Sequence, residues 1–140
     1  MNVLHLVQHF KIGGLEKMAV TLMQKSRFAD TSIIVSLEGT ERDAINEWPA
    51  LSAFEQKLIS LNKAPKFELS VIKKLSEIIK KHNITVIHSH HIGPMLYASL
   101  TCLVNPSVKH VSTIHDAWYL KNFKQRVITK VLNELTKIHW

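Results

Sequence analysis

Cysteine is all but missing: Cys102 is the single one in 140 residues. An internal disulfide is excluded, and a reducing compartment fits. Long apolar runs are missing too. No uninterrupted stretch approaches the roughly 18 residues of a membrane span. The N-terminus has no charged segment leading into a long apolar core, which excludes a signal peptide. A cytoplasmic location is the expectation. Blocks of like charge are also absent. Lys and Arg outnumber Asp and Glu by 18 to 11, a formal charge of +7. Yet the basic residues are scattered, at Lys73, Lys74, Lys80, Lys81, Lys121, Lys124, Arg126 and Lys130. Scatter of this kind describes solvated helix faces, with attraction to an anionic membrane or acceptor as the other reading. No basic motif interleaved with aromatics is present, so nucleic acid is not an expected partner. Glycine and proline number 4 each, and no flexible linker, low-complexity segment or internal repeat interrupts the chain.

What is present is an alternation. Apolar residues make up 46% and charged residues 21%, a balance that supports one folded domain with a real core. Five short apolar or β-branched runs read as strands: 2–7, 32–37, 57–61, 84–89 and 109–115. Helical periodicity lies between them. Leu15, Met18, Ala19, Leu22 and Met23 recur on one face. Leu69, Ile72, Leu75, Ile78 and Ile79 do so over 66–82, with a basic last turn that suits the helix dipole. Leu96, Leu100, Leu103 and Val104 form a stripe over 93–104, and Val127, Val131, Leu132 and Leu135 form one over 121–137. Pro49 blocks regular helix after "AINEW". Strand–helix alternation implies a parallel sheet covered on both faces. The predicted class is α/β, a Rossmann-like doubly wound sheet. The last residues, "KIHW", have the look of a sixth strand cut short.

In such a sheet, ligands bind beyond the carboxyl ends of the strands where strand order reverses. With order 3-2-1-4-5 the crevice lies between strands 1 and 4. The loops there are 8–14 ("QHFKIGG") and 89–94 ("SHHIGP"), with 115–120 ("HDAWYL") beside them. These loops gather His9, His90, His91 and His115, with His88 at the strand end. Gly13 and Gly14 stand where strand 1 should give way to a helix. Glycine there permits close approach to the backbone, and the helix N-terminus favours an anion such as phosphate. The bland alternative is a tight turn with no ligand. No GxGxxG and no GxxxxGK[ST] is present, so dinucleotide and ATPase sites are disfavoured. His88 and His90 share one strand face and could contribute to a zinc site. Spacing shows no third ligand, and no metal is expected. Hydroxyl recognition by His90 or His91 and a structural role for His88 are the stronger readings. His5 is expected to be a buried, hydrogen-bonded core residue. His82, His110 and His139 are expected to have no chemical role.

Three ordered motifs resemble a known family. "VLHLVQHFKIGGLEKMAVTL" is similar to the start of family-four retaining glycosyltransferases of the GT-B fold: a strand, a loop carrying "GG" closely followed by Glu, and an amphipathic helix. "KKHNITVIHSHHIGPMLYASL" resembles their later helix, strand and "HxH" segment, and "HVSTIHDAW" the next strand with its "T-x-H-D" ending. The resemblance implies two Rossmann-like domains facing a cleft. The N-terminal one binds the acceptor and the C-terminal one the nucleotide-sugar donor. By this match Gly14, with Gly13, meets the donor phosphates, and His115 contacts the transferred sugar as the catalytic candidate. Lys11, His90, His91, Asp116 and Trp118 are candidates for the acceptor side. The family implies no metal and no cofactor other than the nucleotide-sugar substrate. The acceptor expected is a cell-surface glycan or glycolipid, with peripheral membrane contact at its inner face. Residues 1–140 then read as the acceptor-side half alone, inactive without the C-terminal domain, and open to homodimerisation through exposed apolar surface and a free sheet edge. The alternative is a stand-alone flavodoxin-like binding or interaction module.

Overall fold

The computed structural model describes residues 1–114 and 123–136. Strand β1 (Asn2–Val7) is followed by helix α1 (Gly14–Lys25), β2 (Thr31–Ser36) and α2 (Glu41–Glu47). A 3-10 segment (Pro49–Lys57) leads into β3 (Leu58–Ser60). Then come α3 (Ser70–His82), β4 (Val86–His90), α4 (Ile92–Val104), β5 (Lys109–Thr113) and α5 (Phe123–Thr136). The five strands form one parallel sheet in the order β3-β2-β1-β4-β5. This is the Rossmann-like arrangement expected from the alternation, with strand order reversing between β1 and β4. The expected start of a sixth strand and the loop 115–120 lie outside the described residues.

The sheet's two faces are filled differently. On one, Leu4, Leu6, Ile33, Val35 and Ile87 pack against Val71, Leu75 and Ile79 of α3 and Ala98 and Cys102 of α4. On the other, Val7, Ile34 and Leu58 pack against Ala19, Val20 and Met23 of α1, Ala44 of α2, and Leu51. Alternate residues of each strand serve opposite layers, which is why the strands read as unbroken apolar runs. Fully burying each Leu or Ile contributes about 1.5–3 kcal/mol. Burial pushes the Cys102 thiol up to about 12, so it stays protonated and unreactive at neutral pH.

Helix α4 buries a different side from the one its apolar stripe indicated, α3 buries its stripe except at the start, and two stripe residues of α5 are exposed. On α4, Leu103 and Val104 are exposed, whereas Ala98, Ser99, Thr101 and Cys102 are buried. Small side chains let α4 lie close to the sheet, and Ser99 faces His110 of β5 with Oγ 3.3 Å from Nδ1. On α3, Leu69 is exposed and Val71 takes the core position, because the helix begins only at Ser70. On α5, Val127 and Val131 are exposed; this helix packs against α4.

Candidate functional site

The loop after β1 is held from three sides. Phe10 inserts into the α1 core layer. Gln8 Nε2 donates to Glu38 Oε1 at 2.6 Å, tying the end of β1 to the residues after β2. A Cβ on Gly93, in the first turn of α4, would collide with Gln8 Oε1. The Gln8 side chain therefore reaches the first turn of α4 at the switch point, where Gly93 leaves it room.

Gly13 and Gly14 open α1 for different reasons. Gly13 is its N-cap, in extended backbone that any residue adopts. The close neighbour is Glu16, whose buried carboxylate folds back so that a Cβ on Gly13 would push its tip aside. Glu16 stands three residues after the cap, where a carboxylate stabilises a helix start. Its Oε1 lies 3.4 Å from His9 Nδ1, and the same nitrogen lies 3.3 Å from the Lys11 amide. Neutral at Nδ1, His9 accepts from Lys11; protonated there, it donates to Glu16. Gly14 has no such neighbour: a Cβ there meets open space. Gly13→Ala should therefore destabilise the protein by about 1 kcal/mol, while Gly14→Ala should stabilise it by about 0.5 kcal/mol. Urea unfolding of the two variants measures the difference, and equal midpoints would refute this distinction.

Beside this turn lies a cleft of about 310 Å³, formed by the loops that follow β1, β2 and β3. Lys11, Glu38, Thr40, Asp43 and Lys63 line it with both signs of charge. Lys63 is the anchor of its floor. Its side chain is 4% exposed, and a buried ammonium needs partners. Nζ donates to the carbonyls of Ala64 at 2.6 Å and Lys66 at 3.1 Å. It also sits 3.5 Å from Glu38 Oε1 and 5.6 Å from the Tyr97 ring centroid. Glu38 thus joins Gln8 to Lys63 and couples three loops. None of these three residues stood out in the sequence: Gln8 opens the loop 8–14 but its chemistry drew no attention beside the histidine and glycines, and Glu38 and Lys63 lie after strand ends without a motif around them.

At the end of β4, His91 adopts φ 81 and ψ 174, a region that glycine occupies and other residues avoid. Its amide donates to Thr113 O at 3.2 Å and its carbonyl accepts from Met95 at 3.1 Å, so sheet and helix together hold the strained residue in place. His91→Gly should be more stable than His91→Ala by about 1 kcal/mol, since only the first relieves the strain while both remove the ring. Thermal melts of the pair test this, and an alanine variant as stable as the glycine variant would refute it.

Below His91, β4 turns His88 and His90 to the face that also carries His5 of β1. His5 and His88 are register partners. His5 Nδ1 lies 3.3 Å from His90 Nε2, and His88 Nε2 lies 2.6 Å from Thr113 Oγ1. His5 is buried with Nε2 lacking a hydrogen-bond partner among the described residues. Desolvation, with His88 nearby, pushes its pKa down to about 4. The opposite face carries His110, bracketed by Ser89 Oγ at 2.7 Å and Ser99 Oγ at 3.3 Å. Burial and, less strongly, His88 lower its pKa to about 4 as well.

The family model of Glycosyltransferase Family 4 matches residues 12–139. The chain belongs to Glycosyltransferase Family 4. A search of curated proteins finds no match. Among solved structures, the chain is similar to the crystal structure of UDP-GlcNAc 2-epimerase from Neisseria meningitidis bound to UDP-GlcNAc. The TM-score is 0.60 and the identity 18%, over 100% of this chain and 40% of that one. At that identity the likeness speaks for the GT-B-type fold alone. This family 4 chain spans less than half the length of that epimerase.

The residues expected at the family 4 site fall into three groups. Lys11 lines the cleft, and Gly13 and Gly14 form the adjoining helix start. His91 sits at the switch point as the N-cap of α4. His90 does not line the cleft: it is fully buried on the sheet face beside His5 and His88. His115, Asp116 and Trp118 lie outside the described residues. The cleft itself is centred on β1–β3, to one side of the β1–β4 crevice that the strand order indicated. The reason is local: α2 and the loop carrying Lys63 stand away from the β1 turn, while Gln8 and Gly93 close the other side.

Proposed function

We propose that this chain is the acceptor-side domain of a retaining glycosyltransferase, one that moves a sugar from a nucleotide-sugar donor to a glycan or glycolipid. The observation that carries the reading is the cleft of about 310 Å³ lined by His9, Phe10 and Lys11, on the loop that leads into the Gly13–Gly14 helix start. Its mixed carboxylates and ammonium groups suit a polyhydroxylated acceptor, in which each hydroxyl both donates and accepts. The open space at Gly14 suits a diphosphate at a helix N-terminus. The donor nucleotide would be held by a second domain, and family membership supports that division. Exposed Lys124, Arg126 and Lys130 alternate on α5 with exposed Val127, Ile128 and Val131, a surface suited to peripheral contact with an anionic membrane.

The test is nucleoside diphosphate release by the full-length protein from a panel of nucleotide sugars, with and without glycan and lipid extracts. Acceptor-dependent release with a glycosylated product is the expected result. Interconversion of the nucleotide sugar without any acceptor would overturn the reading.

A further inference from the structure

We propose that His5, His88 and His90 form a binding site for a divalent transition metal, zinc by preference, which ties β1 to β4 below the switch point. Nitrogens from the three rings, one each, all lie within 4.8 Å of one another. The set is built on rigid backbone. His5 and His88 face each other across paired parallel strands, and His90, two residues further along β4, shares their face. Ring centroids of His88 and His90 are 4.2 Å apart.

His5 Nδ1 and His90 Nε2 lie 3.3 Å apart, a separation at which they share a hydrogen bond when no ion is between them. The same separation matches two ligands of one tetrahedral ion: zinc–nitrogen bonds of about 2.0–2.1 Å place such ligands about 3.3–3.4 Å apart. Thr113 Oγ1, 2.6 Å from His88 Nε2, is the kind of outer contact that orients a ligand ring. His5 and His90 are buried, whereas His88 is half-buried, so an ion enters from the side of His88. Among the described residues, Cys102 and Glu16 stand elsewhere. Cys102 belongs to the core on the opposite face, and Glu16 is turned toward Gly13 and His9. An all-imidazole set favours zinc, copper or nickel over magnesium and calcium, and zinc is the available member. Three ligands leave one tetrahedral position for water or a ligand oxygen.

The experiment uses full-length protein without a histidine tag, stripped with chelator and dialysed against zinc chloride. One equivalent of zinc should remain by elemental analysis. The thermal midpoint should rise by about 5 °C or more in hundredfold excess over Kd. Cobalt(II) chloride should give the visible absorption of a tetrahedral site. His88→Asn, at a half-buried position, should weaken binding at least tenfold. His5→Asn combined with His90→Gln should abolish it, with circular dichroism confirming that each variant is folded. Far less than one equivalent of zinc together with no cobalt band would overturn the proposal. Undiminished binding by folded His88→Asn would do the same, since it would place the ion at another histidine pair.

Discussion

Gly14→Trp should lower kcat/KM for sugar transfer by the full-length protein about 100-fold or more, with the thermal midpoint moving by no more than about 2 °C. The two halves of that expectation come from the same observation. Among the described residues no atom lies within 4 Å of a Cβ at the exposed Gly14, so a side chain there sets out into open space. Surface substitutions of that kind stay within about 0.5 kcal/mol. The indole would instead fill the space that the proposed function assigns to a donor diphosphate at the start of α1. Small misplacements of reacting groups alone reduce rates by about 100-fold. Steady-state kinetics beside a melting curve checks both halves. Wild-type turnover would remove Gly14 from the site, and a collapsed midpoint would show that the space is not free.

Acid should unfold the chelator-treated protein well before its carboxylates are protonated. His110 and His5 are neutral in the fold, with pKa values lowered to about 4. In the unfolded chain both return to about 6.5. Above pH 6.5 the rings are neutral in both states, and their contribution is complete. As pH falls from 6.5 toward 4, the unfolded chain takes up protons that the buried rings refuse, and stability is lost. Each ring accounts for about 3 kcal/mol by pH 4, a large part of the 5–15 kcal/mol typical of a domain. His110→Gln keeps a neutral polar group between Ser89 and Ser99 and should flatten the loss by about half. Urea unfolding at pH 7.5, 6, 5 and 4 measures this. Equal stability at pH 7.5 and pH 4.5 would show that the rings accept protons while folded.

Much of the fold was legible because its signals are local. Alternation of β-branched runs with 3.6-residue periodicity needs no knowledge of the partner segment, and it led directly to a parallel sheet, whose usual strand order reverses between β1 and β4. The "GG…E" segment and the "HSHH" segment carried the family resemblance, and their chemistry was visible in the letters. The helix faces were less legible. In α4 the apolar stripe through Leu103 and Val104 faces outward, because close packing on a sheet selects Ala98, Ser99 and Cys102 for their small size. Periodicity reports that a stripe exists; the neighbour decides which stripe is buried.

The chain's own letters determined the α/β class, the family and the glycine turn at the head of α1, all from short-range pattern. Only the tertiary structure decided why each glycine is there: Gly13 yields to a carboxylate three residues on, and Gly14 leaves space. The structure also joined Gln8 to Glu38 and Glu38 to Lys63, the last two lining one cleft, and set His5 beside His88 and His90. Those last contacts follow from the register between parallel strands, which are joined through long crossovers. A pairing made across the sheet by residues so distant in sequence leaves no spacing for the sequence to display.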